Sequence, residues 1–394
     1  MTSKWLKTLA AILAVCISIS ASGCNKDGGR DTGTAEGTAE STMEASEEAE
    51  APEKVGFIFH GSADEAGFSA ELNSQRLKAV SHSDIETCYI DNVSISDFEG
   101  AVKALASAGC TKIFSGSSVY AHALTSTAGK YMDIDFIGYG ARLRSVNIYA
   151  YTDLPYQGAY AAGMAAAYNS DTEKIGIVVD PDMLYSIPVI NAAALGMQLV
   201  YSDAVLKTAF ATKSAEIDSA VAALTDAGCD VVICYTASAE AADCCERRGV
   251  KFIDFRDHTA DAADYENMMM YFYCARDSFL LSQLKQIKLD TWEADSYVGT
   301  MGNGVVNVSE ALPAAKDGTQ DILTALKPKI ASGQAYIFEG ELKDTSGAIR
   351  YMQNSVMDMA EIYDMSWYVL GVEILENFRQ PITELTENSF EIKS

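Results

Sequence analysis

Carboxylates, imidazoles and thiols are the side chains in this chain with chemistry to offer, and their spacing narrows what that chemistry is. Asp64 and Glu65 sit on one loop, and Asp180 and Asp182 on another. An acid from each loop brought face to face would be the arrangement that hydrolyses a glycosidic bond. Supporting patterns are missing: the sequence has no phosphate-cradling P-loop, no His-Glu-x-x-His and no Gly-x-Ser-x-Gly. Four histidines, His60, His82, His122 and His258, are scattered without the spacing of metal ligands. The reading is a binder and not an enzyme, with no metal and no cofactor.

The chain has nine cysteines. Cys88, Cys110, Cys229, Cys234 and Cys274 lie in or beside apolar runs and read as small buried hydrophobes. Cys244 and Cys245 are adjacent on a predicted helix, a poor geometry for bridging each other. Free thiols in an exported protein point to reducing surroundings.

The elements that must position these groups begin at Lys54. Val55-Gly56-Phe57-Ile58-Phe59 has the length and apolar character of a strand buried on both faces. A polar loop, His60 to Gly67, leads into a helical pattern through Phe68, Leu72, Leu77 and Val80. The same unit recurs at Ile175-Gly176-Ile177-Val178-Val179, at an offset of 120. Ala104-Leu105 through Gly109-Cys110 is answered by Ala223-Leu224 through Gly228-Cys229, at an offset of 119. Two matches at nearly one spacing indicate a duplicated βα lobe. Alternating strands and helices predict parallel sheets, whose ligand crevices lie at the strand carboxyl ends. That rule nominates Ser117 and Tyr120, Tyr139 and Arg142, Asp180 and Asp182, Tyr235 and Ser238, and Asn303 within Gly302-Asn303-Gly304. A helix rich in small residues, Gly158 to Ala167, predicts a close approach of helix and sheet backbones.

At 394 residues the chain has room for two cores, and its formal charge of −26 argues against nucleic acid or an anionic membrane surface as partner. Lys4 and Lys7 precede an apolar run from Leu9 to Ile19 and then Ala21-Ser22-Gly23-Cys24. That run is too short to span a bilayer and fits a signal peptide over 1–23, with small residues before a Cys as in a bacterial lipobox. Cys24 is therefore the expected lipidation site and the protein is expected on the extracytoplasmic face of a cell membrane. From 24 to 53 the composition is that of an acidic tether, with nine acidic and two basic residues between 25 and 53. The predicted division beyond it is lobe one at 54–147 plus about 266–297, and lobe two at 148–265 plus about 298–394.

Gly61-Ser62-Ala63-Asp64-Glu65-Ala66-Gly67-Phe68, Tyr156-Gln157-Gly158-Ala159-Tyr160-Ala161-Ala162-Gly163, Ile190-Asn191-Ala192-Ala193-Ala194-Leu195-Gly196 and Asp364-Met365-Ser366-Trp367-Tyr368-Val369-Leu370-Gly371-Val372 together resemble the basic membrane protein (BMP) family. These are substrate-binding lipoproteins of ABC transporters, of the purine nucleoside receptor A type. The resemblance implies a type I periplasmic-binding-protein fold: two doubly wound parallel-sheet lobes joined by a multi-strand hinge, closing on a small ligand that is often a purine base or nucleoside. Permease and ATPase subunits are the implied partners. Phe68 matches the family's stacking aromatic, worth about 1 to 3 kcal/mol against a flat base. Asp64 and Glu65 match its acid that accepts from ring N–H or ribose hydroxyl groups. Tyr185 stands where some relatives carry Glu, and Ala193 where they commonly carry Phe. Arg256, flanked by Asp254 and Asp257, falls near the family's late acid. A sugar, an amide or a nucleobase remains open as ligand, as does a ligand-sensing surface receptor without transport.

Overall fold

The computed structural model describes residues 53–379 and 392–393, except 65, 66, 143, 182, 184, 213, 237, 257–261 and 263. The predicted signal peptide, Cys24 and nearly all of the tether lie outside the described residues. The first half runs β1 (Lys54–Ile58), α1 (Phe68–Val80), β2 (Glu86–Ile90), α2 (Phe98–Ser107), β3 (Cys110–Ser115), α3 (Ala121–Ala128), β4 (Asp135–Tyr139) and β5 (Ile148–Asp153). The chain continues through α4 (Tyr156–Asn169), β6 (Lys174–Val179), α5 (Ser186–Gln198), β7 (Val205–Phe210), α6 (Ser214–Asp226), β8 (Val231–Tyr235), α7 (Glu240–Arg248), β9 (Lys251–Phe255) and β10 (Met268–Cys274). It ends with α8 (Asp277–Lys288), β11 (Ser296–Gly299), β12 (Val306–Val308), α9 (Thr319–Ala331), β13 (Leu342–Lys343), β14 (Ile349–Tyr351), α10 (Met359–Tyr363) and β15 (Val372–Ile374).

One sheet has the order β11-β5-β4-β3-β1-β2 and the other β12-β10-β9-β8-β6-β7-β15. Within each, the five strands descended from the repeat follow one order, β5-β4-β3-β1-β2 against β10-β9-β8-β6-β7, and all of these pair in parallel. Such strands are buried on both faces. Ile58, Ile113 and Phe136 pack under α2 and α3, while Val55 and Phe57 face the other way. In the second half Val178, Val232 and Phe252 pack under α6 and α7, with Ile177, Ile233 and Ile253 on the opposite face.

Sheet membership departs from the expected division at two strands. β5 belongs to the first sheet, although 148 onward was assigned to lobe two, and β10 belongs to the second, although 266–297 was assigned to lobe one. The repeat explains both: each half needs a fifth strand, and each fifth strand is the last before a crossing. The chain leaves the first sheet through β5 and α4, returns from β10 through α8 to β11, and crosses again to β12. The small-residue helix also has a different partner from the predicted one. α4 packs chiefly against α5, where a Cβ on Gly163 would collide with the Ala193 carbonyl and one on Gly196 with that of Tyr160.

A buried cation ties the halves together. Arg276, just after β10, donates from Nε to Asp153 at the end of β5 (2.5 Å) and from Nη1 to Glu71 of α1 (2.8 Å). Its backbone N–H donates to Gln75 Oε1 at 3.0 Å. Burial pulls the guanidinium down, but Asp153, Tyr139 and Glu71 more than offset it and hold Arg276 well above its usual range. Among the described residues no helix is long and apolar enough to cross a membrane.

Candidate functional site

The carboxyl ends of the two sheets supply loops to two cavities. The first, of about 200 Å³, is lined by His60, Gly61, Ser62, Gly67, Phe68 and Ser69 from the loop after β1 and the start of α1, and by Ser117 after β3. Asp180 after β6 and Thr212 after β7 complete it from the second sheet. The second, of about 260 Å³, has Ser118, Ala121, Gly140 and Arg142 on one side and Tyr185, Ser186, Ile187 and Pro188 on the other, with Tyr363 and Met365. Consecutive residues Ser117 and Ser118 line one cavity each.

Local structure explains these placements. β1 ends at Ile58 and the chain must turn to reach α1, whose N-cap Gly67 has φ 145°, a backbone angle other residues rarely adopt. The turn delivers Phe68 as the first residue of α1, buried, with Tyr139 stacked on its ring at 5.3 Å and the Arg276 guanidinium 5.1 Å from its centroid. Phe68 is thus already covered in part, and only its remaining surface is open to the cavity. Asp180 follows β6 directly, and its backbone N–H is held by the Tyr235 carbonyl at 3.0 Å. The residue is 8% exposed and supplies the carboxylate of the 200 Å³ cavity among the described residues. Tyr185 caps α5 in the left-handed region at φ 59°, its hydroxyl 3.2 Å from that of Thr152. Burial pushes the Tyr185 phenol far above its usual value.

Several nominated residues lie elsewhere. Asp64 is exposed, accepts from the Tyr89 hydroxyl at 3.4 Å and pairs with Lys393 at 3.6 Å, at the edge of the first sheet and outside both cavities. Glu65 and Asp182 lie outside the described residues. Tyr120 is fully buried and donates to the Val93 carbonyl at 2.5 Å, a core contact. Tyr139 is buried and donates to Asp153 at 2.9 Å, so it supports Phe68 and Arg276 from behind. Tyr235 is enclosed by Phe255 and Phe272. Asp254 lies on the face of β9 that carries Phe252, toward α7, with Arg256 Nε 4.0 Å away. Burial pushes the Asp254 carboxyl up to about 8, which Arg256 only partly opposes. Arg256 lies over the rings of Tyr265 and Tyr271. Asn303 Oδ1 accepts from the N–H of Thr300 at 2.8 Å and its Nδ2 donates to Val298 at 2.8 Å, the work of a turn residue.

Residues missed by the sequence reading fall into two kinds. Ser69 and Thr212 sit where the strand-end rule applies and could have been named by it. Tyr363 and Met365 could not, because they come from a late segment outside the βα repeat. All seven described cysteines are free and buried, and no group of three or more His, Cys, Asp or Glu is placed to hold a metal among the described residues.

Two doubly wound sheets whose carboxyl ends share a cleft are the architecture of the type I periplasmic solute-binding fold. The solved structure of an ABC transporter solute-binding protein from Aeropyrum pernix K1 superposes with a TM-score of 0.61 at 15% identity, covering 74% of this chain and 93% of that one. A solute-binding protein of Conexibacter woesei gives 0.58 at 17% identity, over 72% and 97%. Residues 52–332 match the Bmp family, described as ABC transporter substrate-binding protein, PnrA-like. The chain belongs to that family. A purine-binding protein of Brucella abortus (strain 2308) is 26% identical over 339 residues, which is 82% of this chain and 94% of the relative. A putative ABC transporter glucose-binding protein of Haloferax volcanii is 26% identical over 297 residues, 73% and 72% of the two chains.

Proposed function

We propose that this ABC-transporter substrate-binding protein captures a purine nucleoside or nucleobase in the cleft between its two sheets, as two lobes closing on the solute. The observation that carries the reading is the 200 Å³ cavity, in which Phe68 and Ser117 of one half face Asp180 and Thr212 of the other. A purine offers a flat face for the aromatic ring and N–H donors for the carboxylate. The likeness to a purine-binding protein over 82% of the chain supports the same class of solute. Anchoring through acyl chains on Cys24 follows from the small residues before it and would hold the protein at the extracytoplasmic face, beside its permease and ATPase.

Isothermal titration with adenine, adenosine, guanosine and inosine tests the solute class, with glucose and ribose as controls. One-to-one binding of a purine, with no free base released from the nucleosides on prolonged incubation, is the expected result. Binding of a sugar in place of every purine would overturn it, and release of base would make the protein an enzyme. Loss of radiolabelled palmitate from a Cys24→Ser variant tests the anchor.

A further inference from the structure

The second cavity is closed on one side by residues that belong to neither set of strand-end loops. The segment 357–369 follows β14, and Asp358 caps the short α10 through a reciprocal bond with Glu361. It is fixed to the second half by Asn191 of α5, which is fully buried: Nδ2 donates to the Trp367 carbonyl at 2.8 Å and Oδ1 accepts from the Val369 N–H at 2.9 Å. From that mooring the Tyr363 ring reaches the cavity and lies 5.0 Å from the ring of Tyr185. Tyr185 is itself held in the left-handed backbone region that disfavours a non-glycine residue, packed between Tyr156 and Tyr363.

The same segment meets the opposite half at the Arg142 side chain. Arg142, which follows β4, pairs with Asp364 at 2.5 Å, and its guanidinium lies 5.4 Å from the Tyr363 centroid. Both members of the pair are at least half exposed, so salt screens it and its strength is modest. We infer that Tyr363 is a specificity-determining wall of the solute site and that the Arg142–Asp364 pair latches this wall across the cleft. The inference rests on the cleft being the solute site. A solute reaching from the Phe68 cavity into its neighbour meets the Tyr363 ring, so the ring selects for what extends past the first cavity.

Calorimetry on the mature chain, with adenosine and adenine as probes, compares wild type with Tyr363→Ala, Tyr363→Phe and Asp364→Ala, each checked by thermal melting. Tyr363→Ala should weaken adenosine roughly tenfold, by loss of one aromatic contact, and adenine less, while Tyr363→Phe stays near wild type. Asp364→Ala should weaken adenosine about two- to fivefold at low salt and have no effect at high salt. Affinities unchanged in both Tyr363→Ala and Asp364→Ala, with folding intact, overturn the inference. Should wild type bind neither probe, the purine reading fails separately, and amide exchange in solute-free protein decides. Faster exchange at Gly140–Arg142 in Asp364→Ala supports the latch, and identical exchange overturns it.

Discussion

The two halves of the molecule share a plan and differ in what they place at equivalent positions. Gly56 in β1 and Gly176 in β6 occupy the same site in their sheets, and a Cβ there would meet Leu105 at 2.9 Å or Leu224 at 3.0 Å, the corresponding residues of α2 and α6. Two positions later in space the correspondence breaks. Register pairs Ser115 with Gly138 in the first sheet and Cys234 with Asp254 in the second, so Asp254 stands where the first half has glycine. Packing explains the glycine, whose Cβ would collide with the Leu124 side chain. The second half instead buries a carboxyl at that site. The shared features are thus those of the scaffold, while the unshared one is an ionisable group.

The largest test of that difference is Arg276→Met, which removes the cation where β5, β10 and α1 meet. With Asp153 and Glu71 left buried, a loss of about 3 to 5 kcal/mol is expected in denaturant unfolding. A loss no greater than that of an exposed Arg would mean the halves are joined by packing alone.

Next in size is the pH dependence that Asp254 gives only to the second half. Its carboxyl is raised from an unfolded value near 4 to about 8, so the folded state holds a proton that the unfolded state gives up between these limits. Its contribution is fully present below about pH 4 and is lost as pH rises toward 8, on the order of a few kcal/mol. Asp254→Asn should flatten stability between pH 4 and 8 relative to wild type. Parallel curves for the two proteins would show the carboxyl is charged when folded.

The scaffold positions should respond alike. Gly56→Val and Gly176→Val each force a branched side chain against one leucine and should cost about 1 to 3 kcal/mol, nearly equal in the two halves. A cost confined to one of them would break the equivalence.

This contrast also explains how far the sequence was legible. Strand and helix order, the doubly wound parallel plan and the repeat could be read because apolar periodicity and the Gly-Leu pairings are enforced by packing in both copies. The fate of the fifth strands could not, since β5 and β10 are equally apolar whichever sheet they join. At the site, the strand-end rule led to Ser117, Arg142 and Asp180, and the family resemblance to Phe68 and Tyr185, all of which line the cleft cavities. The rule also nominated Tyr235, and the resemblance Asp254, both of which point into the cores because one residue along a strand reverses its face, while Tyr120 turns inward from the 3-10 turn after β3. Asp64 is drawn away by Lys393, a contact over more than three hundred residues that no local pattern encodes. Arg276 was not singled out, because its partners Asp153 and Glu71 lie 123 and 205 residues away in the sequence.

The most direct test of the central claim is a crystal structure grown with saturating adenosine. The account predicts density for one solute molecule in the cleft, touching Phe68 or Ser117 on one side and Asp180 or Thr212 on the other. An empty cleft with the solute bound elsewhere, or a solute touching one half alone, would contradict it.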